Sequence, residues 1–325
     1  MNPDVAGAVD ALARSGTLTP NQALRFSRVA RRQLLSVHGE LRLLAYLGVL
    51  LVMAGVGLLV KDNIDRIGPV AIAVSLGLGA LVCLGWVASR APAFSRGEVA
   101  SPHLALDYVL LLGALLIGAD LAYVETQFTA LGDAWPWHLL VVAIAYGVLA
   151  VRYDSRVVFS LALSTFVAWR GVSAARLERS LWYSSDATAV RTNAVACGAL
   201  FIGLGAAFRA RRFKAHFEPV AAHLGCLLVL AAPLSALGDA NPAGTVAAFL
   251  LGALGGGLAV FAYGRRRFGL FAMGLVGAYV GLSALFVQAL SGSDAAILGF
   301  FWFTMTPIAM LAFLYVAHRR LKEAE

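Results

Sequence analysis

Long apolar runs alternate with short polar connections along the whole chain from about residue 41. The runs consist mainly of Leu, Ala, Val and Gly, and most approach the roughly 20 residues that a helix needs to cross about 30 Å of hydrocarbon. Ten such runs lie at approximately 41–60, 67–88, 104–124, 136–151, 157–172, 191–208, 219–237, 243–263, 268–290 and 295–317. This pattern predicts an all-α protein, a polytopic bundle of about ten transmembrane helices.

The fourth and fifth runs leave an alternative open. Both are short, and Arg170 interrupts the end of the fifth. A run of this length can enter and leave the membrane on one side instead of crossing it. If residues 136–172 form such a re-entrant pair, the bundle has eight spans and the other helices keep their orientation.

The charged residues agree with a membrane location and orient the helices. Only 14% of the 325 residues are charged, whereas a soluble domain has about 25% and can cover its surface with polar groups. If the N-terminus is cytoplasmic, 20 of the 26 Lys and Arg residues fall on the cytoplasmic side and six on the other. Because cytoplasmic loops hold the excess of Lys and Arg, we expect both termini in the cytoplasm.

Polarity divides the chain into three parts. We predict a cytoplasmic helical hairpin at residues 1–40, a transmembrane domain at 41–317 and a cytoplasmic tail at 318–325. The first 40 residues are polar and basic, whereas a secretory signal reaches its apolar region soon after its charged start. We therefore expect no cleavage, with the first span directing insertion.

Residues 1–40 carry the local signals of a helical hairpin. Ser15-Gly16 interrupts a run that is helical in pattern. Thr19 then stands in the N-cap position of a second helix, with Pro20 in its first turn and Gln22 three residues after the cap, which is the spacing of a capping box.

The second helix of this hairpin presents a basic face. Arg25, Arg28 and Arg32 share one side of it by their spacing. A basic amphipathic helix of this kind lies on anionic phospholipid of the inner leaflet, and we expect the same lipids at the other basic loops. Docking of a cytoplasmic protein is the alternative, and nothing points to nucleic acid.

Asp120 is an ionisable residue inside the third apolar run. Burying it near the bilayer centre costs roughly 2.5–3.5 kcal/mol on insertion scales, so such residues usually have a function. Tyr123 and Gln127 continue its helix face, and Asp133 follows in the next connection. One interpretation is that these four residues line a polar external cavity, and the other is that Asp120 lies shallow enough to reach the interface.

Other polar residues within apolar runs are possible partners of Asp120. Asn193, His223 and Gln288 come from later spans, and their proximity is not decided by the sequence. Glu125 points away from the Asp120 face by its helical position.

Aromatic residues mark the predicted membrane boundary on the external side. Trp135 and Trp137 flank Pro136 at the start of the fourth span, where aromatic belts occur. Trp182 and Tyr183 lie in the longest external connection, residues 171–190. This connection forms either a short interfacial helix or a lid over an external cavity.

Four glycines predict close packing between helices. Gly252 and Gly256, and likewise Gly277 and Gly281, form GxxxG pairs within apolar runs. Such pairs allow two membrane helices to approach closely.

Residues that would indicate enzyme or metal chemistry are missing from the sequence. No nucleophile elbow, phosphate-binding loop, dinucleotide fingerprint or zinc-protease motif occurs. Cys83, Cys197 and Cys226 lie in apolar runs as small apolar fillers, and the six His residues form no zinc spacing. We therefore expect no catalytic residue, no metal and no cofactor.

Several short motifs resemble a known family. They are Gln127-Phe128, Gly132-Asp133 and Trp135, the N-terminal Leu12, Gly16, Leu18 and Gln22-Ala23, and the polar loop Lys61–Arg66 after a Gly-rich first span. Over roughly residues 10–170 the chain resembles bacterial predicted membrane proteins of the domain of unknown function 2157. The resemblance implies a bacterial cytoplasmic (inner) membrane, and it carries no reaction, cofactor or partner.

Three functional interpretations follow from these observations. The first is a non-enzymatic membrane protein that acts as a sensor, scaffold or assembly factor. The alternative is a secondary transporter or lipid-handling carrier with a polar cavity around Asp120. A further alternative, an intramembrane acyltransferase-like enzyme, would pair Asp120 with His138.

Overall fold

The structure is a computed structural model that describes residues 9, 12–19, 22, 26, 38–99, 104–177, 188–239, 242–290 and 295–323. Within the helices, the side chains at 38–42, 60–67, 104, 172–177, 295–296 and 321–323 are outside this description.

Ten α-helices follow one another along the described residues from His38 onward, and no strand occurs in the part of the chain that the structure describes. They are α1 His38–Ile67, α2 Pro69–Arg90, α3 Leu104–Phe128, α4 Trp137–Tyr153, α5 Arg156–Leu177, α6 Thr188–Ala210, α7 Glu218–Ser235, α8 Ala243–Gly264, α9 Phe268–Ala289 and α10 Ala295–Glu323. Two 3-10 turns, Gly132–Ala134 and Ala215–Phe217, precede α4 and α7. Each helix corresponds in order to one predicted apolar run, so the all-α architecture is confirmed for these residues.

Seven of the helices in the described part are long and apolar enough to cross a membrane. They are α2, α3, α6, α7, α8, α9 and α10. Two shorter apolar stretches, Leu43–Leu59 in α1 and Trp137–Tyr153 in α4, fall below that length. Length and composition therefore identify a polytopic membrane protein with seven candidate spans, and the difference from ten rests on α1, α4 and α5.

Two helices are longer than the apolar pattern predicts. α1 continues through Lys61–Arg66, which we expected to form a polar loop, and it ends before Gly68 at φ 82°. Opposite charges four residues apart in this stretch favour a helix, and glycine is the residue that adopts positive φ without strain. α10 likewise extends to Glu323, so residues 318–323 of the predicted tail are helical.

The described N-terminal residues contain the predicted capping box. The N–H of Thr19 donates to Gln22 Oε1 (3.1 Å), and the N–H of Gln22 donates to Thr19 Oγ1 (3.4 Å). Gly16, at φ 71°, follows the preceding helical turn. The predicted basic face of Arg25, Arg28 and Arg32 lies outside the described residues, as does Pro20.

The chain divides into two compact units. Unit 1 comprises Met1–Val87 and His103–Leu116, and unit 2 comprises Ala88–Pro102 and Ile117–Glu325. Unit 1 therefore holds α1, nearly all of α2 and the first half of α3, while unit 2 holds the remainder.

Small residues and aromatic contacts hold unit 1 together. The rings of Tyr46 and Tyr108 meet edge to face at 4.9 Å and join α1 to α3. Gly113 of α3 faces Cys83 and Leu84 of α2, which would lie 3.1 and 3.2 Å from a Cβ at that position. The absence of a side chain on Gly113 thus permits the approach of the two helices.

Unit 2 contains three consecutive helical hairpins, α4–α5, α6–α7 and α8–α9. Each connection includes a non-glycine residue with left-handed backbone geometry: Asp154 (φ 59°), Lys214 (φ 47°) and Arg266 (φ 56°). Asp154 ends α4, and its N–H donates to the carbonyl of Ala150. Such residues are uncommon outside tight turns, so these connections are closely specified.

Glycine contacts bring the helices of two hairpins together. A Cβ on Gly255 of α8 would lie 2.7 Å from the carbonyl oxygen of Gly274 on α9, and the reverse distance is also 2.7 Å. Gly198 of α6 and Gly225 of α7 approach each other with the same two distances. Any larger residue at these positions would push the backbones apart.

The four glycines predicted for packing lie differently in this contact. Gly252 and Gly281 face each other closely, and a Cβ on Gly277 would lie 3.6 Å from the Cα of Gly255. A Cβ on Gly256 would have no neighbour within 4 Å in the described part of the chain. The prediction that Gly256 packs against another helix was therefore wrong by one position. The residue of α8 that contacts α9 is Gly255.

Many large apolar side chains face outward in both units. Leu51, Val82 and Val260 are the extreme cases, with exposures of 76%, 71% and 77%. In water such surfaces would favour aggregation, whereas lipid tails are as apolar as these side chains.

Candidate functional site

Asp120 and Tyr123 form a pair of buried polar groups on one face of α3. Asp120 Oδ1 and the hydroxyl of Tyr123 are both inaccessible, and neither has a hydrogen-bond partner among the described residues. The two residues are three apart, so their side chains share a helix face. Buried polar atoms are nearly always hydrogen-bonded in folded proteins, which makes two orphans on one turn exceptional.

Asp120 lies close to the middle of its helix. It is four residues from the midpoint of Leu104–Phe128, which corresponds to about 6 Å at 1.5 Å per residue. The Phe128 end is about 12 Å away by the same rise. Asp120 therefore lies about two turns before the end of α3.

The other two residues of the predicted cavity lie elsewhere on the surface. Gln127 is exposed in the last turn of α3, and Asp133 is exposed in the 3-10 turn that follows. The structure thus separates two buried groups from two exposed groups, all within one connected segment.

A buried acid next to this site was missed from the sequence. Glu125 is only 8% exposed, and its Oε2 accepts a hydrogen bond from the N–H of Leu131 (3.0 Å). This bond closes the turn that follows α3. The next residue, Gly132, has a positive φ of 50°. In the sequence, the signal for this hydrogen bond was a glutamate that lies a few residues before the Gly132-Asp133 turn.

The three residues considered as possible partners of Asp120 form hydrogen bonds with other residues. Asn193 accepts from Arg170 Nε (3.2 Å), His223 Nδ1 donates to the carbonyl of Pro219 (2.6 Å), and Gln288 accepts from Thr245 (2.7 Å). Three helical positions that looked equivalent in sequence face three different neighbours. The sequence left the proximity of these residues to Asp120 undecided, and the structure pairs each of them with another residue.

His138 is also engaged locally. Its Nδ1 donates to the carbonyl of Trp135, and its ring stacks on the Trp135 indole at 5.7 Å. Among the described residues, no hydrogen bond joins it to Asp120 Oδ1.

A second polar cluster lies at the connections between helices of unit 2. Lys214 is fully buried, and its Nζ lies 2.5 Å from Asp154 Oδ1 and 3.4 Å from the carbonyl oxygen of Gly97. His216 Nε2 lies 3.3 Å from the same Asp154 oxygen. These contacts join three connections that the charge count assigned to one side: α2–α3, α4–α5 and α6–α7.

Further ion pairs agree with this arrangement of the connections. Arg156 donates to Glu98 (2.8 Å), again between the α4–α5 and α2–α3 connections. Arg267, in the α8–α9 connection, forms a two-bond pair with Glu218 at the start of α7 (2.5 and 2.9 Å). Side-chain contacts thus link each of the four basic connections of unit 2 to at least one neighbouring connection or helix start.

The opposite ends of these helices are joined by different contacts. Arg191 at the start of α6 donates two hydrogen bonds to Asp239, after α7. These bonds hold the pKa of the Asp239 carboxyl below its ordinary value. Trp137 and Trp169 pack at 5.6 Å and join α4 to α5.

The predicted aromatic anchors are only partly described. Trp135 stacks on His138, and Trp137 is 55% exposed at the first position of α4. Trp182 and Tyr183 lie outside the described residues, while α5 extends to Leu177 into the predicted interfacial segment.

Metal-binding residues do not gather in the described part of the chain. No group of three His, Cys, Asp or Glu side chains there could hold an ion. Cys83, Cys197 and Cys226 are free thiols, and Cys197 is buried beside Asn193.

The turn after α3 includes the motif residues that suggested a family. Residues 10–159 match DUF2157, a predicted membrane protein family. The resemblance inferred from sequence is thereby confirmed over just under half of the chain. No curated protein and no solved structure matches the chain. The DUF2157 match contains Asp120, Tyr123, Glu125 and Asp154, whereas Lys214 lies beyond it.

Proposed function

We propose that the protein is a non-enzymatic carrier of the bacterial cytoplasmic membrane that couples movement of a solute to a proton or small cation at Asp120. The observation that supports this function is the pair of buried, unpartnered oxygen atoms of Asp120 and Tyr123. The sensor or scaffold role depended on the N-terminal hairpin, which lies mostly outside the described residues.

The physical argument is the cost of an unsatisfied carboxyl group. A buried charge is expensive unless it is paired, and removing the charge with a proton or cation lowers that cost. The described protein residues give Asp120 Oδ1 no hydrogen bond, so a proton, a cation or a water molecule has to meet this need. A group that changes its occupant in this way is suited to ion coupling.

Tyr123 supplies a second oxygen for the same occupant. A phenol hydroxyl both donates and accepts hydrogen bonds, so it can serve a bound water, a hydrated cation or the protonated acid. Gln127 and Asp133, exposed further along the segment, are positioned to attract a cation towards this face. An enzyme would need a second catalytic group close to Asp120, and His138 is engaged with Trp135.

We also propose ten spans with both termini in the cytoplasm. α4 has 17 residues, or about 25 Å at 1.5 Å per residue. The Lys214–Asp154 contact lies at one end of the α4–α5 hairpin, and the Trp137–Trp169 contact lies at the other. This supports two complete spans over a re-entrant pair. A label on Arg156→Cys should react only from the cytoplasmic side. Protection of residue 156 from label on both sides, as in a re-entrant pair, or reaction from outside would exclude this topology.

The ion site can be tested by chemical modification. A hydrophobic carbodiimide reacts with protonated carboxyl groups in apolar surroundings. We expect it to label Asp120 in the purified full-length protein, and Asp120→Asn to remove this adduct in peptide mass spectra. Asp107→Asn, an acid-to-amide change at the start of the same helix, is the matched control and should leave the adduct in place.

Flux measurements then separate a carrier from a structural acid. Wild type, Asp120→Asn and Asp107→Asn are reconstituted in vesicles containing a pH indicator, and K⁺, Na⁺ and solute gradients are imposed. A proton or cation flux that is present in wild type and Asp107→Asn but lost in Asp120→Asn supports the carrier. Equal behaviour of wild type and Asp120→Asn under every gradient, or an unlabelled Asp120, overturns it.

A further inference from the structure

An amphipathic cavity lies beside the buried Lys214 cluster in unit 2. Its volume is about 480 Å³, within the range of roughly 300–1,000 Å³ that small-molecule sites occupy. The lining residues are Arg96, Leu204, Ala207, Phe208, Arg211 and Phe213.

The cavity is lined by an apolar helix face and by two arginines. Leu204, Ala207 and Phe208 are spaced three and four residues apart, so they form one face of the last two turns of α6. Arg211 follows directly after the helix, and Arg96 comes from the α2–α3 connection. An apolar chain would contact the helix face while a negatively charged group meets the two guanidinium groups.

The backbone that carries Arg96 is held in place by the protein interior. The N–H of Lys214 donates to the carbonyl oxygen of Arg96 (2.8 Å), and Lys214 Nζ approaches the next carbonyl oxygen, that of Gly97. Lys214 is in turn paired with Asp154. The position of Arg96 is therefore prepared before any ligand arrives, which lowers the entropic cost of binding.

The nearby acids are engaged with other basic residues. Glu98 is paired with Arg156, and Asp154 is paired with Lys214. Among the described residues neither acid forms an ion pair with Arg96 or Arg211. These two acids therefore do not neutralise Arg96 and Arg211, whose positive charge can attract an anionic ligand.

A second cavity on the same connection follows the same plan. It has a volume of about 470 Å³ and is lined by Phe94, Ile144, Gly147, Val148, Val151 and Arg152. An apolar helix face again ends at a basic residue. An apolar surface and a basic residue therefore lie together at two places beside the α2–α3 connection.

We propose that the Arg96–Arg211 cavity binds one anionic phospholipid, with its phosphate between the two arginines and part of one acyl chain against Leu204, Ala207 and Phe208. Guanidinium groups bind phosphate through charge-assisted hydrogen bonds, which are stronger than neutral ones. The remainder of the lipid stays in the bilayer. This site is separate from Asp120 and does not depend on the carrier function.

Lipid retention by the full-length protein tests the proposal. The protein is purified in mild detergent, titrated with phosphatidylglycerol or phosphatidylcholine, and its bound lipids are counted by native mass spectrometry. Arg96→Gln/Arg211→Gln is compared with Arg209→Gln/Arg212→Gln, which removes the same charge from two exposed arginines outside the cavity. Thermal unfolding of each variant shows that it is folded.

We expect wild type and the Arg209/Arg212 control to retain one phosphatidylglycerol in preference to phosphatidylcholine. Each cavity arginine removed should weaken this binding roughly tenfold, because a hydrogen bond to a charged group is lost. Equal losses in the two double variants would mean that general surface charge attracts the lipid, and would overturn the site.

The acyl-chain contact is tested without any change in charge. Ala207→Trp fills the apolar wall and should displace phosphatidylglycerol while leaving both arginines intact. Inorganic phosphate and glycerol 3-phosphate should compete weakly. If these soluble anions displace the lipid and Ala207→Trp has no effect, the cavity is a phosphate site and the proposal is wrong.

Discussion

The buried pair of Lys214 and Asp154 is predicted to hold the connections of unit 2 in place. The perturbation is Lys214→Met, which keeps an unbranched side chain of similar length and removes the charge. The backbone hydrogen bond from residue 214 to Arg96 is retained. Asp154→Asn is the reciprocal change, and asparagine tolerates the left-handed backbone at this position (φ 59°).

The expected magnitude follows from the burial of both partners. At the 2.5 Å separation, the gross attraction is about 7 kcal/mol for an effective dielectric constant near 20. Desolvation cancels much of it, so the pair contributes little net stability. Removing only one partner leaves an uncompensated buried charge, which costs about 3–5 kcal/mol. His216, 3.3 Å from Asp154, can offset part of this cost in Lys214→Met.

The double variant gives the sharper test. Lys214→Met/Asp154→Asn removes both charges together, so it should cost no more than either single change, and the coupling should be at least about 2–3 kcal/mol, as for contacting residues in double-mutant cycles. Arg209→Met, an exposed basic residue at the end of α6, is the control and should stay within about 0.5 kcal/mol of wild type.

Unfolding can be followed with the protein's own thiols. Denaturant is titrated into the protein in micelles with a thiol-reactive dye. All variants carry Cys83→Ala and Cys226→Ala, so that the dye reports exposure of the buried Cys197. If each single change costs less than about 1 kcal/mol, or if the two costs add without coupling, the pair is not isolated from solvent and this reasoning is refuted.

Two further predictions concern helix packing and pH. Gly255→Ala should destabilise the protein by about 1–3 kcal/mol, because its Cβ would overlap the backbone of Gly274, whereas Gly256→Ala, with open space around it, should be neutral in the same unfolding titration. Asp239 has a pKa below its ordinary value of 3.8 because Arg191 donates hydrogen bonds to it, so its contribution is complete above that value and is lost as pH falls through the lower folded pKa. The stability difference between wild type and Asp239→Asn should therefore shrink on acidification below pH 3.8, and a difference that does not depend on pH would contradict the pairing.

The sequence alone determined the helices and their local ends. Apolar runs of about 20 residues specify helices because only that structure satisfies the backbone within a single segment in lipid. The Thr19–Gln22 capping box and the Gly132 turn were also readable, since each depends on residues close in the chain. The uneven distribution of Lys and Arg assigned three connections to the same side of the membrane. These are the connections whose residues contact one another around Lys214 in the structure.

The tertiary structure decided which polar residues meet. Lys214 and Asp154 are 60 residues apart, and Gly255 rather than Gly256 faces Gly274. A rotation of one residue on a helix turns a side chain by about 100°, so an approximate helix face does not identify a partner. Asp120 was recognisable as an intramembrane acid from the sequence, whereas its lack of a described protein partner depended on how the surrounding helices pack.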